Sequence, residues 1–149
     1  MGTKYRGGDA EVRALNAFIT LTRASDAVIA RSHRPLADEG LTYSQFGALE
    51  ALYHCGPLCP GDLAGKVMRS NGSITSVIDG LARKGLVERV KTDDDRRYTT
   101  LNLTTRGRAL VRRLLPAHVG RIREQFDVLS AREQEQLRTI CRTLGKGRG

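Results

Sequence analysis

The segment from Pro60 to Leu103 constrains the fold more than any other part of the chain, because its pattern changes from helical to extended. Two short stretches come first, with apolar residues at three- and four-residue spacings, and two alternating stretches rich in Val, Leu and Thr follow. An acidic turn that ends in Asp95-Arg96-Arg97 separates the two alternating stretches. This order predicts two short helices and a β-hairpin, which together make a winged helix-turn-helix.

Local signals predict the bounds of the two short helices. Pro60 suits the first position of a helix that runs to Met68. Ser70 is the expected N-cap of a second helix over residues 71–84, and Gly85 is expected to close that helix in the left-handed conformation. The predicted buried face of the second helix consists of Ile74, Val77, Ile78 and Leu81. Strands are expected at residues 86–91 and 98–103.

Longer helical patterns flank this segment on both sides. The first covers residues 9–33, and Pro35 is expected to stop it. A second helix opens at Thr42, an N-cap with Gln45 at capping-box spacing, and ends at Gly56. Two C-terminal helices follow, capped by Thr104 and Ser130; Pro116 lies inside the first of these and is expected to kink it.

The predicted fold class is therefore mainly α, with about six helices and a two-stranded wing. The expected winged-helix unit covers about residues 38–103, and the outer helices cover about 9–35 and 104–145 of a single chain. The apolar stripes of the outer helices exceed what the short central unit can cover. They favour a homodimer in which both chain ends pack against the other subunit.

The net charge of +9 and the pI near 10.1 favour a polyanionic partner. Residues 60–103 carry eight Lys/Arg against six Asp/Glu, whereas residues 104–149 carry eleven against four. The charge thus indicates a nucleic-acid partner without locating the contact surface. No apolar run approaches the roughly 18 residues of a membrane span, and the N-terminus lacks the apolar core of a secretory signal, so a cytoplasmic location is expected.

A second helix of this kind fits the major groove of DNA, with its polar N-terminal residues against base edges. An arginine on a projecting wing suits a narrow minor groove, where the negative potential is enhanced. The candidate DNA-contacting residues are Ser70, Asn71, Ser73, Thr75, Ser76, Lys91, Asp95, Arg96 and Arg97. Two alternatives remain open: an amphipathic hairpin with a solvated charged turn, or a winged-helix module that binds a protein rather than DNA.

Two cysteines, Cys55 and Cys59, lie close together beside His54, around Gly56-Pro57. Three interpretations are open: apolar packing residues, redox-active thiols able to form a disulfide, or part of a metal site. The metal interpretation lacks a fourth ligand and the usual spacing, so no metal is expected. An odd total of three cysteines, with Cys141 as the third, argues against a structural disulfide framework.

Enzymatic function is not expected. The segment from Gly61 to Lys66 is similar to a phosphate-binding loop, but it has three residues between its glycines where four are needed. No Ser or Thr follows Lys66. Paired catalytic carboxylates are not evident, the three histidines are scattered, and no cofactor is expected.

The ordered set of motifs resembles the MarR family of bacterial regulators over about Leu15 to Leu144. The matching motifs, in chain order, are Leu41-Thr42-x-x-Gln45-Phe46, Leu52 with Gly56-Pro57-Leu58, Asp62-Leu63-Ala64, Ser73-Ile74-Thr75-x-Val77-Ile78-Asp79-x-Leu81, Lys84-Gly85-Leu86-Val87-Glu88-Arg89, Asp95-Arg96-Arg97, Leu103-Thr104-x-x-Gly107 and Leu129-Ser130. The chain departs from the family pattern at Ser76, often Arg in the family, and at Gly80, often charged. These departures affect the transfer of operator preference and leave the expected fold unchanged.

The resemblance implies a homodimeric winged-helix transcription factor, a repressor that binds a pseudo-palindromic operator in double-stranded DNA. Residues 70–84 would form the recognition helix and Arg97 would enter the minor groove. Family members bind small, often aromatic, anionic ligands between the dimerisation helices and the DNA-binding unit, and some sense oxidants through a thiolate. The matching regions of this chain hold Arg23, His33, Arg34, Tyr43, Phe46 and Tyr53.

Overall fold

The computed structural model describes residues 2–67, 73–91 and 99–149. The helices are α1 (Asp9–Asp38), α2 (Tyr43–Cys55), α3 (Pro60–Lys66), α4 (Ile74–Arg83), α5 (Thr105–Phe126) and α6 (Ala131–Lys146), and the strands are β1 (Val87–Lys91) and β2 (Thr99–Leu103). The predicted class, mainly α with six helices and a two-stranded wing, is confirmed. Contacts divide the chain into one unit of Ile29–His118 and another of Met1–Val28 with Val119–Gly149.

The hydrophobic core lies within the Ile29–His118 unit. Its largest fully buried side chains are Leu36, Leu49, Leu52, Leu63, Leu81, Leu101 and Val111. They come from all five helices of this unit and from β2. This shared core fixes α4 and the base of the hairpin on one support.

The end of α1 differs from the prediction, because the helix continues through Pro35 to Asp38. Leu36, one residue later, is buried, and its carbonyl oxygen accepts the N–H of Leu41 at 3.2 Å. Gly40, with φ of 76°, donates to the carbonyl of Ala37 in the left-handed helix ending known as the Schellman motif. Burial of Leu36 and Leu41 in the core stabilises the last turn and outweighs the hydrogen bond that Pro35 cannot donate.

The start of α4 also differs from the prediction. Its N-cap is Ser73, whose Oγ accepts the N–H of Ser76 at 3.2 Å, so the helix begins at Ile74 rather than at residue 71. Ser70 and Asn71 lie outside the described residues. The predicted closure is confirmed, since Gly85 has φ of 71° and donates to Ala82.

The hairpin is antiparallel, with Val87 opposite Leu103 and Lys91 opposite Thr99. The first strand begins one residue later than expected. Leu58 adds a short bridge to β2, because its N–H and carbonyl both bond to Leu101, at 3.2 and 2.7 Å. The segment after α2 is thereby held to the wing.

Three of the predicted helix starts are confirmed as capped. Thr42 and Gln45 form the capping box of α2, Ser130 and Glu133 form that of α6, and Pro60 occupies the first turn of α3. The N–H of Ser130 bonds to the Glu133 carboxylate, which lowers the pKa of Glu133 below its usual value. The α3 helix ends at Lys66, and the predicted last residue, Met68, lies outside the described residues.

The junction between the hairpin and α5 depends on Thr104 and Gly107. Thr104 donates its backbone N–H to the Leu86 carbonyl at 3.1 Å, and its Oγ1 accepts the N–H of Gly107 at 3.0 Å. Gly107 lies directly against that same carbonyl. Pro116 lies inside α5 as expected; the predicted kink there stays a prediction.

The unit formed by the two chain ends leaves many apolar side chains in solvent. Eight of the ten exposed large apolar residues among the described ranges belong to it: Tyr5, Phe18, Leu21, Val119, Val128, Leu137, Ile140 and Leu144. The core cluster, by contrast, belongs wholly to the other unit. None of the described helices is long and apolar enough to cross a membrane.

An exposed ion pair joins the end of α1 to α5. Arg113 donates from both terminal nitrogens to the two carboxylate oxygens of Glu39, at 2.9 and 3.0 Å. These hydrogen bonds hold the pKa of Glu39 below its usual value of 4.5 and raise that of Arg113. A carboxylate with a lowered pKa in the folded state stabilises the fold above its unfolded-state pKa, and that contribution disappears as the pH falls through the folded value.

We therefore expect wild type to be slightly more stable than Glu39→Gln at pH 7 and equal to it near pH 3. The effect should be small because the pair is solvent-exposed. Urea unfolding of both proteins across this pH range measures the difference. Glu124→Gln, an exposed carboxylate on α5, is the control. A stability difference that grows on acidification would contradict the assignment.

Candidate nucleic-acid interface

The recognition helix α4 has one buried and one exposed side. Val77, Ile78 and Leu81 are buried, while Thr75 and Ser76 are exposed. Ser73 is also exposed, but its hydroxyl caps the helix and lies 3.4 Å from that of Ser76. The hydroxyls available for a base or phosphate are therefore chiefly those of Thr75 and Ser76.

An ion pair joins α4 to the wing. Arg89 of β1 donates to the carboxylate of Asp79 on α4. Both side chains are about half exposed. A free carboxylate beside the recognition surface would repel DNA phosphates, and Arg89 neutralises it while fixing the strand to the helix. Sequence spacing did not single out this pair, because its members lie in different elements.

Lys84, at the end of α4, holds the recognition helix to α2. Its ammonium donates to Gln45 Oε1 at 3.1 Å and to the Gly40 carbonyl oxygen. Gln45 also accepts the Thr42 N–H in the capping box. One amide thus orders the start of α2 and the end of α4 together.

The wing is described only at its base. Lys91, the last residue of β1, is exposed, as expected for a phosphate contact. The other three wing candidates, Asp95, Arg96 and Arg97, lie outside the described residues. Their assignment therefore stays a prediction.

The six candidate ligand-pocket residues lie in different surroundings. His33 contacts Tyr43 edge to face with ring centroids 6.0 Å apart, and Tyr53 lies under the guanidinium of Arg108 at 5.7 Å. Phe46 is buried against the ring of His118, 4.9 Å away. Arg23 and Arg34 are exposed and take no part in these three contacts; Arg23 belongs to the unit formed by the chain ends.

Two histidines stand out near these rings. The Nδ1 atom of His33 is buried without a hydrogen-bond partner among the described residues. His118 of α5 is a buried residue that the sequence did not single out, because a lone histidine on an apolar helix face carries no distinguishing pattern. It adds a polar ring to the surroundings of Phe46.

The three cysteines are free thiols. Cys59 is the N-cap of α3, where its Sγ accepts the N–H of Asp62 at 3.4 Å, and Cys55 is exposed at the end of α2. Cys59 therefore has a capping role that none of the three interpretations included. Among residues 2–67, 73–91 and 99–149, no three His, Cys, Asp or Glu side chains cluster as metal ligands do.

Comparison with known proteins gives a consistent result. The MarR family model matches residues 41–99. The HTH-type transcriptional regulator MhqR of Bacillus subtilis is 32% identical over 133 residues, which cover 89% of this chain and 92% of the relative. The chain belongs to the MarR family. The HTH-type transcriptional repressor YetL of the same organism is 30% identical, over 82% of this chain and 74% of the relative.

The fold is also similar to that of solved family members. The MarR family regulator Sco3205 of Streptomyces coelicolor, solved in complex with DNA, is 25% identical, with a TM-score of 0.83 over 97% of this chain and 91% of that one. Family members are transcriptional regulators and not enzymes. The chain is accordingly a DNA-binding transcriptional regulator with a winged helix.

Proposed function

We propose that the protein is a homodimeric, cytoplasmic repressor that binds a pseudo-palindromic operator and is released by a small aromatic or anionic ligand or by thiol oxidation. The observation that carries the DNA-binding part is the surface of α4. Thr75 and Ser76 are exposed there, and the neighbouring Asp79 carboxylate is neutralised by Arg89. Short hydroxyls supply few base-specific bonds, so phosphate contacts provide most of the affinity.

The homodimer is supported by the exposed apolar side chains of the two chain ends. Ile140 and Leu144 are 64% and 62% exposed on one face of α6, together with Leu137. Large apolar side chains at helical spacing favour burial against a partner. In a symmetric dimer, two recognition helices would enter major grooves about 34 Å apart, which matches a pseudo-palindromic operator.

Release by a ligand is supported by the surroundings of His33 and Phe46. A buried, unpaired imidazole nitrogen beside Tyr43 is a hydrogen-bonding position that a phenol or carboxylate would satisfy. Release by oxidation is supported by Cys59, because a modified sulfur would alter the cap of α3. Either signal acts only as far as it binds or modifies the DNA-free conformation preferentially.

The decisive experiment is fluorescence anisotropy with duplex DNA from upstream of the protein's own gene. Arg97→Glu is expected to weaken binding by about 10- to 100-fold, because a minor-groove arginine is lost and a repelling charge is gained. It should also flatten the dependence of log affinity on log salt by about one unit. Arg148→Glu, in the C-terminal tail, makes the same charge change and should leave both quantities nearly unchanged.

Equal affinity for wild type and Arg97→Glu would show the wing assignment to be wrong. Salt-insensitive binding by the wild type, or no binding, would favour the alternative of a protein-binding winged helix.

A further inference from the structure

A cavity of about 750 Å³ lies in the Ile29–His118 unit, where the end of α1, the end of α4 and the first turns of α5 meet. Its apolar lining includes Leu41, Leu86 and Leu110. None of the six candidate ligand residues or the DNA-contacting candidates lines it. Its volume falls within the range of small-molecule sites, roughly 300–1,000 Å³.

The rim of this cavity is strongly cationic. Arg83, Lys84, Arg106 and Arg113 line it together with a single carboxylate, Glu39. The bidentate pair with Arg113 occupies both oxygens of that carboxylate. Three positive charges therefore surround the cavity without a carboxylate to balance them among its lining residues.

The remaining cations differ in what they already bind. Lys84 donates to Gln45 and Gly40, and the Nε of Arg83 donates to the Asp79 carbonyl oxygen at 3.3 Å. Arg106 makes no ion pair with any residue in the described ranges. It lies close enough to Gly85 that a methyl group there would be 3.6 Å from its guanidinium.

We propose that this cavity binds a small amphipathic anion, an alkyl or aryl carboxylate or phosphate. The guanidiniums of Arg106 and Arg83 would bind the acidic group, since planar forks match carboxylate and phosphate oxygens. The hydrocarbon body would lie against Leu41, Leu86 and Leu110. An anion at this position offsets the mutual repulsion of the rim cations, which solvent screens only in part.

Binding here would act on the recognition helix from its C-terminal end. Arg83 and Lys84 end α4, Arg106 opens α5, and Gly40 closes α1. A ligand that contacts all three helices would stabilise their present arrangement in proportion to its occupancy. The site requires neither DNA nor the wing, so it stands or falls independently of the proposed operator binding.

The test is a titration of the isotopically labelled full chain, followed through the amide ¹H–¹⁵N signals of Gly40 and Gly85. The probes are hexanoate, hexyl phosphate, hexanol and inorganic phosphate. Saturable shifts are expected with hexanoate or hexyl phosphate, and their relative affinities distinguish a carboxylate from a phosphate site. The dissociation constant should be at least about tenfold lower than for hexanol or inorganic phosphate.

Matched variants locate the site. The double variant Arg83→Gln, Arg106→Gln should weaken hexanoate and hexyl phosphate binding about tenfold or more, with the folded spectrum retained. Arg108→Gln and Arg112→Gln together remove the same charge from nearby positions of α5 that do not line the cavity, and binding should persist.

Four results would overturn the proposal. Equal binding of inorganic phosphate would indicate an adventitious ion only, and equal binding of hexanol would indicate a purely apolar site. Equal weakening by the two double variants would indicate a general charge effect. A short DNA duplex that shifts Gly40 and Gly85 more strongly than the amphipathic anions would assign the cations to phosphate-backbone binding.

Discussion

Replacing Ile140 and Leu144 together by aspartate is expected to convert a dimer into a monomer. Both side chains are exposed by more than 60% and lie on one face of α6. Burying each in an interface is worth about 1.5–3 kcal/mol, and a buried unpaired carboxylate adds a further cost. The dissociation constant of the dimer should therefore rise by at least about 100-fold.

Sedimentation equilibrium measures this change directly. Thr139→Asp places the same charge on the opposite side of α6, where the side chain is also exposed, and should leave the dimer intact. The double variant should also lose operator affinity, because a monomer engages only one half-site. An unchanged molar mass would show that α6 lies outside the interface, and circular dichroism would verify that the variant is folded.

The second large effect is expected for Gly107→Ala. A methyl group at this position would overlap the carbonyl oxygen of Leu86, and it would lie 3.3 Å from Leu103 Cδ2. Neither backbone can move easily, because the Leu86 carbonyl also accepts the Thr104 N–H. The free energy of unfolding should fall by about 3 kcal/mol, which is typical of severe overpacking.

Urea unfolding compares this variant with Gly65→Ala. Gly65 lies in α3, and a methyl group there meets nothing within 4 Å. This control should be neutral or stabilising by about 0.5–1 kcal/mol, because alanine is the better helix former. If both variants have the same stability, the contact between Gly107 and Leu86 does not limit packing at the base of the wing.

Features set by neighbouring residues were predictable from the sequence. The capping boxes at Thr42 and Ser130 and the glycine closure at Gly85 are each determined within one or two helical turns. The buried stripe of α4 was predictable for the same reason. The order of these elements was sufficient to indicate the winged helix and the family.

Features that depend on distant contacts were not predictable. Pro35 looked like a stop because the sequence does not show that Leu36 is buried in the core. The partnership of Asp79 with Arg89 depends on how the hairpin packs on α4, and that of Phe46 with His118 joins residues 72 positions apart. The proposed ligand set was inferred from matching regions, and such regions do not specify which side chains touch.

The hydrogen bond between Leu86 and Thr104 closes the hairpin at its base, with Val87 and Leu103 as the next pair. The chain therefore leaves the core and returns to it at a single point. Substitutions, or changes in length, between Lys91 and Thr99 need not disturb the packing of α4 against its support. Operator preference can diverge among descendants of this protein while the stability of the domain is inherited unchanged.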